Sequence, residues 1–128
     1  MDGRNTLPKG ERLQRTYQFR RVYESGRKAR ADFAVVYVLE SAAKTGSGAG
    51  ALGVVTSRKV GCAVVRNRAR RLLREAYRLN KHKLKPNLQI VIVARAGIRG
   101  RRLQDIEAVL LELLGRAGGL APKAFGVD

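Results

Sequence analysis

Cysteine, histidine, tryptophan and long apolar runs are scarce or absent in this 128-residue sequence. A single cysteine, Cys62, cannot close an intrachain disulfide, and this cysteine usage predicts a cytoplasmic protein. Because His82 is the one histidine, a zinc site built from thiol and imidazole ligands is excluded, and we expect no tightly bound cofactor. Residues 1–10 lack an apolar signal-peptide core, and no run of about 18 apolar residues follows, so we expect no membrane association.

Acidic residues are also few. There are 10 Asp and Glu against 27 Lys and Arg, which gives a formal net charge of +17. A metal-dependent protein nuclease needs several carboxylates that converge on one or two ions. Asp105 and Glu107 are close in sequence, but two positions apart on a helix they point in different directions. A histidine-based nuclease would depend on His82 alone, so the sequence argues against a protein that cuts nucleic acid by itself.

The excess of positive charge predicts a polyanionic partner, because a folded domain with a charge of +17 repels itself. Arginine outnumbers lysine 19 to 8. Guanidinium groups bind phosphate in a bidentate manner, whereas ammonium groups act as point charges. We therefore expect a nucleic-acid partner and no small-molecule substrate.

Hydropathy and turn patterns predict one α+β domain, residues 1–128, with an ordered core over about 16–114. Helices are predicted at 16–25, 64–80 and 103–114, and strands at 31–40, 51–57 and 88–94. A basic arm, 1–15, and a tail, 115–128, are expected to be mobile.

The predicted strands form a sheet of about four strands that is covered by helices. The nearly continuous apolar run 88–94 suits a central strand that is buried on both faces. Strands 31–40 and 51–57 are expected to pair antiparallel across the glycine-rich segment 41–50. The helix between the last two strands makes a parallel crossover possible.

Positive charge is concentrated between residues 58 and 85, which contain eleven basic residues and one acid, Glu75. At about 100° per residue, one row on the helix 64–80 contains Arg66, Arg70, Arg74 and Arg78, with Asn67, Arg68 and Arg71 beside it. A solvated basic face would mix Lys with Glu, so this pattern favours an RNA- or DNA-binding helix. Asn67 can either cap the helix start or hydrogen-bond RNA, and Cys62 is expected to be a small buried residue.

The stretch 59–78 resembles the bacterial ribonuclease P protein family. That family has a Gly-x-Ala-Val-x-Arg-Asn-Arg motif followed by Arg-Arg-x-x-Arg, here Gly61, Ala63, Val64, Arg66, Asn67, Arg68, Arg70, Arg71 and Arg74. The resemblance extends to Phe19-x-x-x-Tyr23-x-x-Gly26, Phe33-x-x-x-Tyr37, the lead-in 56–59 and the strand 90–95. It covers roughly residues 16–114, although Cys62 stands where the family frequently has a polar residue.

The resemblance implies a two-layer α-β-β-β-α-β-α sandwich with a left-handed crossover that contains the arginine helix. It also implies a ribonucleoprotein endoribonuclease that generates the mature 5′ end of tRNA. Its catalytic RNA would perform the reaction and would require Mg²⁺, and the protein would lower that requirement. The protein alone would then be inactive.

The resemblance assigns two sets of residues to two RNAs. The set expected to contact the catalytic RNA is Arg58, Lys59, Arg66, Asn67, Arg68, Arg70, Arg71, Arg74 and Arg78. A cleft between the first helix and the sheet would hold the 5′ leader of precursor tRNA through Phe19, Tyr23, Tyr37 and Arg20. Aromatic side chains stack on unpaired bases, but aromatics at i, i+4 spacing usually face a core, so both readings stay open for this set. The alternative function is a structural, ribosomal-type RNA-binding protein with no role in cleavage.

Overall fold

The computed structural model describes residues 12–13, 15–40, 51–85 and 87–120. The described elements follow the predicted order α-β-β-β-α-β-α. They are α1 (Thr16–Ser25), β1 (Arg27–Arg30), β2 (Ala34–Glu40), β3 (Ala51–Val55), α2 (Ala63–Asn80), β4 (Leu88–Ala94) and α3 (Leu103–Arg116), with single 3-10 turns at Lys81–Lys83 and Ala96–Ile98. The α+β class is therefore confirmed, and the handedness of the crossover stays a prediction.

The four strands form a mixed sheet in the order β1-β2-β4-β3. β4 is antiparallel to β2 and parallel to β3, so Ile92 pairs with Val36 on one side and with Val54 on the other. The predicted antiparallel pairing of 31–40 with 51–57 is therefore wrong, because β4 lies between them. The apolar run of β4 is best buried in the centre, and α2 supplies the long crossover that a parallel β3–β4 pair requires. The segment 41–50 lies outside the described residues.

Alternating residues of the central strands face two separate apolar clusters. Ile90 and Ile92 belong to the larger cluster, which is formed with α2 and α3 and contains the fully buried Leu73 and Ile106. Val91 faces the opposite side, where it packs with Val22 of α1, Leu13 and the half-buried Phe19, Tyr37, Leu39 and Val93. The helices thus cover both faces, and α1 adds a further layer to the predicted two-layer sandwich.

Packing extends beyond both ends of the predicted core, 16–114. Leu13 is buried, and its N–H donates to the Leu52 carbonyl of β3 at 3.0 Å, so residues 12–13 continue the sheet along the outer edge of β3. At the other end, Leu120 forms an antiparallel bridge with Leu84. The rest of the predicted mobile arm and tail, apart from Arg15 and residues 115–119, lies outside the described residues.

Candidate nucleic-acid interface

The arginine-rich helix α2 starts at a turn that requires glycine. Gly61 has φ +152°, and a Cβ there would lie 2.9 Å from the Cβ of Val65. Cys62 is the N-cap and is exposed, so the expectation of a buried cysteine is wrong. The backbone N–H groups of Val65 and Val64 lower the pKa of the Cys62 thiol, although neither makes a capping hydrogen bond. The charge of Arg66 lowers this pKa further.

Asn67 lies beyond the N-cap of α2 and therefore does not cap it. Its Oδ1 accepts a hydrogen bond from the Nη2 group of Arg70, and the Nη1 group of Arg70 donates to Thr56 Oγ1 at 2.7 Å. Because Thr56 directly follows β3, these two bonds fix the Arg70 guanidinium at the outer edge of the sheet. Asn67 thus orients a neighbouring cation, and its own contact with RNA stays a prediction.

Arg74 lies in a locally positive environment. Burial lowers its pKa, and the positive charges of Arg70 and Arg12 lower it further. Arginine nevertheless stays protonated at any physiological pH. Three cations therefore lie near one another at the β3 edge, where an anion would relieve their repulsion.

Arg78 differs from the rest of the row because it is paired within the chain. Its Nε and Nη2 groups donate to the two carboxylate oxygens of Glu75 at 2.9 and 2.8 Å. The hydrogen bond with Glu75 raises the pKa of Arg78. We therefore rank Arg78 last among the predicted RNA-binding residues, since its charge is already neutralised.

The remaining predicted cations of this surface, Arg58, Lys59, Arg68 and Arg71, are exposed, whereas Arg66 is half-buried. Arg68 reaches across to the segment before α3, where its Nη2 group donates to the Arg101 carbonyl at 3.0 Å. Arg101 is held in turn by Asp32 Oδ2 at 2.6 Å, and its guanidinium lies 5.3 Å from the Phe33 ring centroid. Arg101 was not predicted as part of this surface, because its partner Asp32 is 69 positions away and no local pattern joins them.

The aromatic residues assigned to the predicted cleft lie where α1 packs on the sheet. The rings of Tyr23 and Tyr37 meet edge to face, with centroids 4.9 Å apart and an interplanar angle of 84°. Tyr23 is 39% exposed, whereas Tyr37 is half-buried. Burial raises the pKa of the Tyr23 hydroxyl, and the nearby Tyr37 adds to that rise. The structure therefore brings these two predicted residues together at the exposed end of this aromatic surface.

Phe19 lies deeper than the tyrosine pair. It packs against Gly53 of β3, where an added Cβ would overlap the Phe19 ring. Phe19 thus packs in the second apolar cluster, at the inner end of this aromatic surface, while Arg20 is exposed on α1. Lys28 was missed: its Nζ lies 5.7 Å from the Tyr37 ring centroid, and its position opposite Tyr37 follows from β1–β2 pairing, which the sequence did not reveal.

The arginine helix and the aromatic cleft lie on opposite faces of the sheet and approach each other at β3. Arg70 contacts Thr56 from one face, and Phe19 contacts Gly53 from the other. Residues 12–13 run along this edge and bring Arg12 close to Arg74. One edge of the sheet therefore joins the strongest positive charge to the aromatic surface.

The described carboxylates do not converge. Asp105 accepts the Arg102 N–H at 3.2 Å at the start of α3, and Glu107 accepts from Asn80 at 3.0 Å. Within the described ranges, no group of three or more His, Cys, Asp or Glu side chains could hold a metal ion.

None of the helices in the described part of the chain is long and apolar enough to cross a bilayer.

Comparisons with known proteins agree with this architecture. The model of the family described as Ribonuclease P matches residues 7–118. The ribonuclease P protein component of Lachnoclostridium phytofermentans is 41% identical over 103 residues, which are 80% of this chain and 85% of that protein. The corresponding Clostridium novyi protein is 36% identical over 112 residues, which are 88% and 97% of the two chains. The structure of Staphylococcus aureus RNase P protein superposes with a TM-score of 0.74 at 25% identity and covers 87% of this chain and 98% of that one. The chain therefore belongs to the ribonuclease P protein family.

Proposed function

We propose that this chain is the protein subunit of a ribonuclease P ribonucleoprotein. In this proposal the exposed and half-buried arginines of α2 bind the catalytic RNA, except Arg78, whose charge Glu75 already neutralises. The predicted cleft between α1 and the sheet binds the 5′ leader of precursor tRNA. The observation that carries it is the cluster of Arg70, Arg74 and Arg12 at the β3 edge, which no acid of the described residues neutralises.

In this proposal the RNA subunit catalyses cleavage, and the protein does not. Several acids that a protein nuclease would need are paired with cations: Glu75 with Arg78, Asp32 with Arg101, Glu40 with Lys85 and Glu112 with Arg116. The protein offers guanidinium groups instead, and these neutralise phosphates without coordinating metal. We infer that Mg²⁺ is held by the RNA, and that the protein lowers the Mg²⁺ concentration at which the RNA folds and holds its substrate.

The predicted cleft offers aromatic rings for the bases and cations for the phosphates of a single-stranded leader. Tyr23 and Tyr37 offer partly exposed rings on which bases can stack. Lys28 lies next to the Tyr37 ring, and the exposed Arg20 is one helical turn before Tyr23 on α1, so both can meet the phosphates. A mature tRNA has no leader and would gain nothing from this cleft. The protein is therefore expected to favour precursor over mature tRNA.

The test is cleavage of precursor tRNA at low Mg²⁺ by a bacterial ribonuclease P RNA, with and without this protein freed of RNA. We expect the mixture to cut at the mature 5′ end under conditions where neither component does so alone. No change on adding the protein would contradict the proposal. Cleavage by the protein alone would contradict the assignment of catalysis to the RNA.

A further inference from the structure

A groove separates α2 from the segment that leads into α3. Its first compartment, of about 500 Å³, is lined by Val65, Arg68, Ala69, Ile98, Arg99 and Gly100. A second compartment of about 330 Å³ is lined by Arg68, Arg71, Leu72, Glu75 and Leu103. Both volumes fall in the range of roughly 300–1,000 Å³ typical of sites for small organic groups. The expectation that Arg68 lies beside the arginine row is wrong, because at about 100° per residue Arg68 and Leu72 lie on the opposite flank of α2 from Arg70 and Arg74. This groove is therefore separate from the arginine row.

The first compartment combines an apolar floor with a cationic rim. Ile98 is 1% exposed and Ala69 is 2% exposed, so together with Val65 they present hydrocarbon rather than polar groups to the cavity. Arg68 and Arg99 supply the charge, and no acid of the described ranges lines this compartment. Such a lining excludes a cation and disfavours a purely apolar guest, because the guest would leave two guanidinium groups without an anion.

Backbone and side-chain geometry keep the compartment open. Gly100 has φ +79°, which an L side chain rarely adopts, and no described heavy atom outside its chain neighbours lies within 4 Å of a Cβ position there. A ligand can thus approach the Gly100 backbone closely. The hydrogen bond from Arg68 Nη2 to the Arg101 carbonyl holds Arg68 across the groove, and its other N–H groups are left for a ligand.

A nucleotide meets both requirements of this lining. Its base is a flat ring that can pack on Val65 and Ile98 and stack on a guanidinium plane, and its phosphate accepts bidentate hydrogen bonds from arginine. A base inside a duplex could not enter, so the nucleotide must be unpaired. We propose that the groove binds one unpaired nucleotide of an RNA partner, with the base in the first compartment and the phosphate on Arg68 and Arg99. The identity of that RNA rests on the proposed function, whereas the capacity to bind a nucleotide can be measured on the protein alone.

The experiment is an NMR titration of the full chain with adenosine 5′-monophosphate and, separately, with ribose 5-phosphate, which has the same phosphate and no base. We expect adenosine 5′-monophosphate to shift the Ile98 methyl and Gly100 amide signals with a dissociation constant at least tenfold lower than that of ribose 5-phosphate. Equal affinity for the two compounds would overturn the proposal, since it would show phosphate binding without base recognition.

Two matched pairs of variants localise the effect. Val65→Phe fills the compartment and should abolish the base-dependent shifts, whereas Val64→Phe, at a neighbouring position that is 76% exposed, should preserve them. Arg99→Gln should raise the dissociation constant at least threefold, whereas Arg95→Gln, an equal loss of charge at an exposed site outside the lining, should not. Since Arg99 is exposed, its variant tests the groove even if Val65→Phe fails to fold. Unchanged binding in Arg99→Gln would overturn the assignment.

The cleavage assay separates this proposal from the proposed function. If the protein activates a ribonuclease P RNA but shows no preference for adenosine 5′-monophosphate, the groove assignment fails and the proposed function stands. If the preference is found without activation, the nucleotide site stands and the RNA partner is a different one.

Discussion

Arg74→Gln should weaken binding of the catalytic RNA and at the same time stabilise the free protein. These opposite effects follow from one observation: Arg74 is partly buried, Arg70 and Arg12 lie near it, and among the described residues no acid lowers their mutual repulsion. In the free protein the three charges repel one another, so the removal of one relieves that repulsion. In the proposed complex the same charge would face phosphate, so its loss would remove an attractive contact.

The expected size of the binding effect follows from counterion release. Each phosphate neutralised on a duplex contributes about 0.9 to the slope of log K against log salt concentration. A slope of about 0.9 changes the affinity about eightfold for each tenfold change in salt concentration. If Arg74 makes one such contact, the ratio of wild-type to variant affinity should therefore be about eightfold larger at 0.1 M salt than at 1 M salt. The stabilisation of the free protein should be about 0.5 kcal/mol, on the scale of a partly solvated charge interaction.

The matched control is the double variant Glu75→Gln with Arg78→Gln. It removes a carboxylate and a guanidinium that neutralise each other at 2.8 Å, so the net charge of the surface does not change. We expect its salt slope to equal that of the wild type. Filter binding of the catalytic RNA over roughly one decade of salt concentration, from about 0.1 M to about 1 M, measures the slope, and thermal unfolding of the free protein measures stability. An unchanged slope in Arg74→Gln, or a lower unfolding temperature, would refute the reasoning.

Three further predictions concern the Cys62 thiol, the predicted leader cleft and the packing of Phe19. The pKa of Cys62 is lowered in the folded protein, so its alkylation by iodoacetamide should reach half its maximal rate at a lower pH when folded than in urea; coincident profiles would count against this. Tyr23→Ala should weaken binding of precursor tRNA to the ribonucleoprotein about tenfold, from the loss of about 1.4 kcal/mol of stacking, and should leave mature tRNA unaffected. Tyr17→Ala, at a position on the same helix that is 63% exposed, is its control, and equal losses in the two variants would exclude the cleft. Gly53→Ala should lower the free energy of unfolding by about 1–3 kcal/mol in urea titrations, because its Cβ overlaps the Phe19 ring, and an unchanged midpoint would show that Phe19 moves freely.

Local patterns predicted the helices and the central strand well. The apolar run of β4 and the helical spacing of α1 gave the observed bounds, Leu88–Ala94 and Thr16–Ser25, and α2 begins one residue earlier than predicted. These elements are defined by their own periodicity, which the sequence contains in full. β1 was not recognised as a separate strand because three of its four residues are exposed and charged, as an edge strand allows.

Strand pairing could not be read from the same patterns. The pairing of β2 with β4 rather than β3 depends on which strand gains most from burial on both faces, and that is a property of the complete sheet. Cys62 was misjudged for a related reason. Cysteine is usually buried, but here it takes the N-cap position that the turn at Gly61 imposes.

In the candidate site, too, the helical spacing was predictable from the sequence, whereas contacts with other elements were not. Helical geometry alone places Arg66, Arg70, Arg74 and Arg78 in one row and treats them as equivalent. The tertiary structure makes them unequal, because Glu75 neutralises Arg78, Thr56 fixes Arg70, and Arg12 approaches Arg74 from a different part of the chain. Only the pairing with Glu75 was accessible to sequence reasoning, since the two residues are three positions apart on one helix.

The position of β3 explains why this inequality matters for binding. As an edge strand it leaves one side of the sheet open, and residues 12–13 fill part of that side. Arg12 is thereby placed where α2 already concentrates charge, while Phe19 packs on the opposite face of the same strand. A duplex bound by α2 and a single strand bound in the cleft would therefore meet at this edge. The pairing that the sequence did not reveal thus brings the two proposed RNA surfaces next to each other.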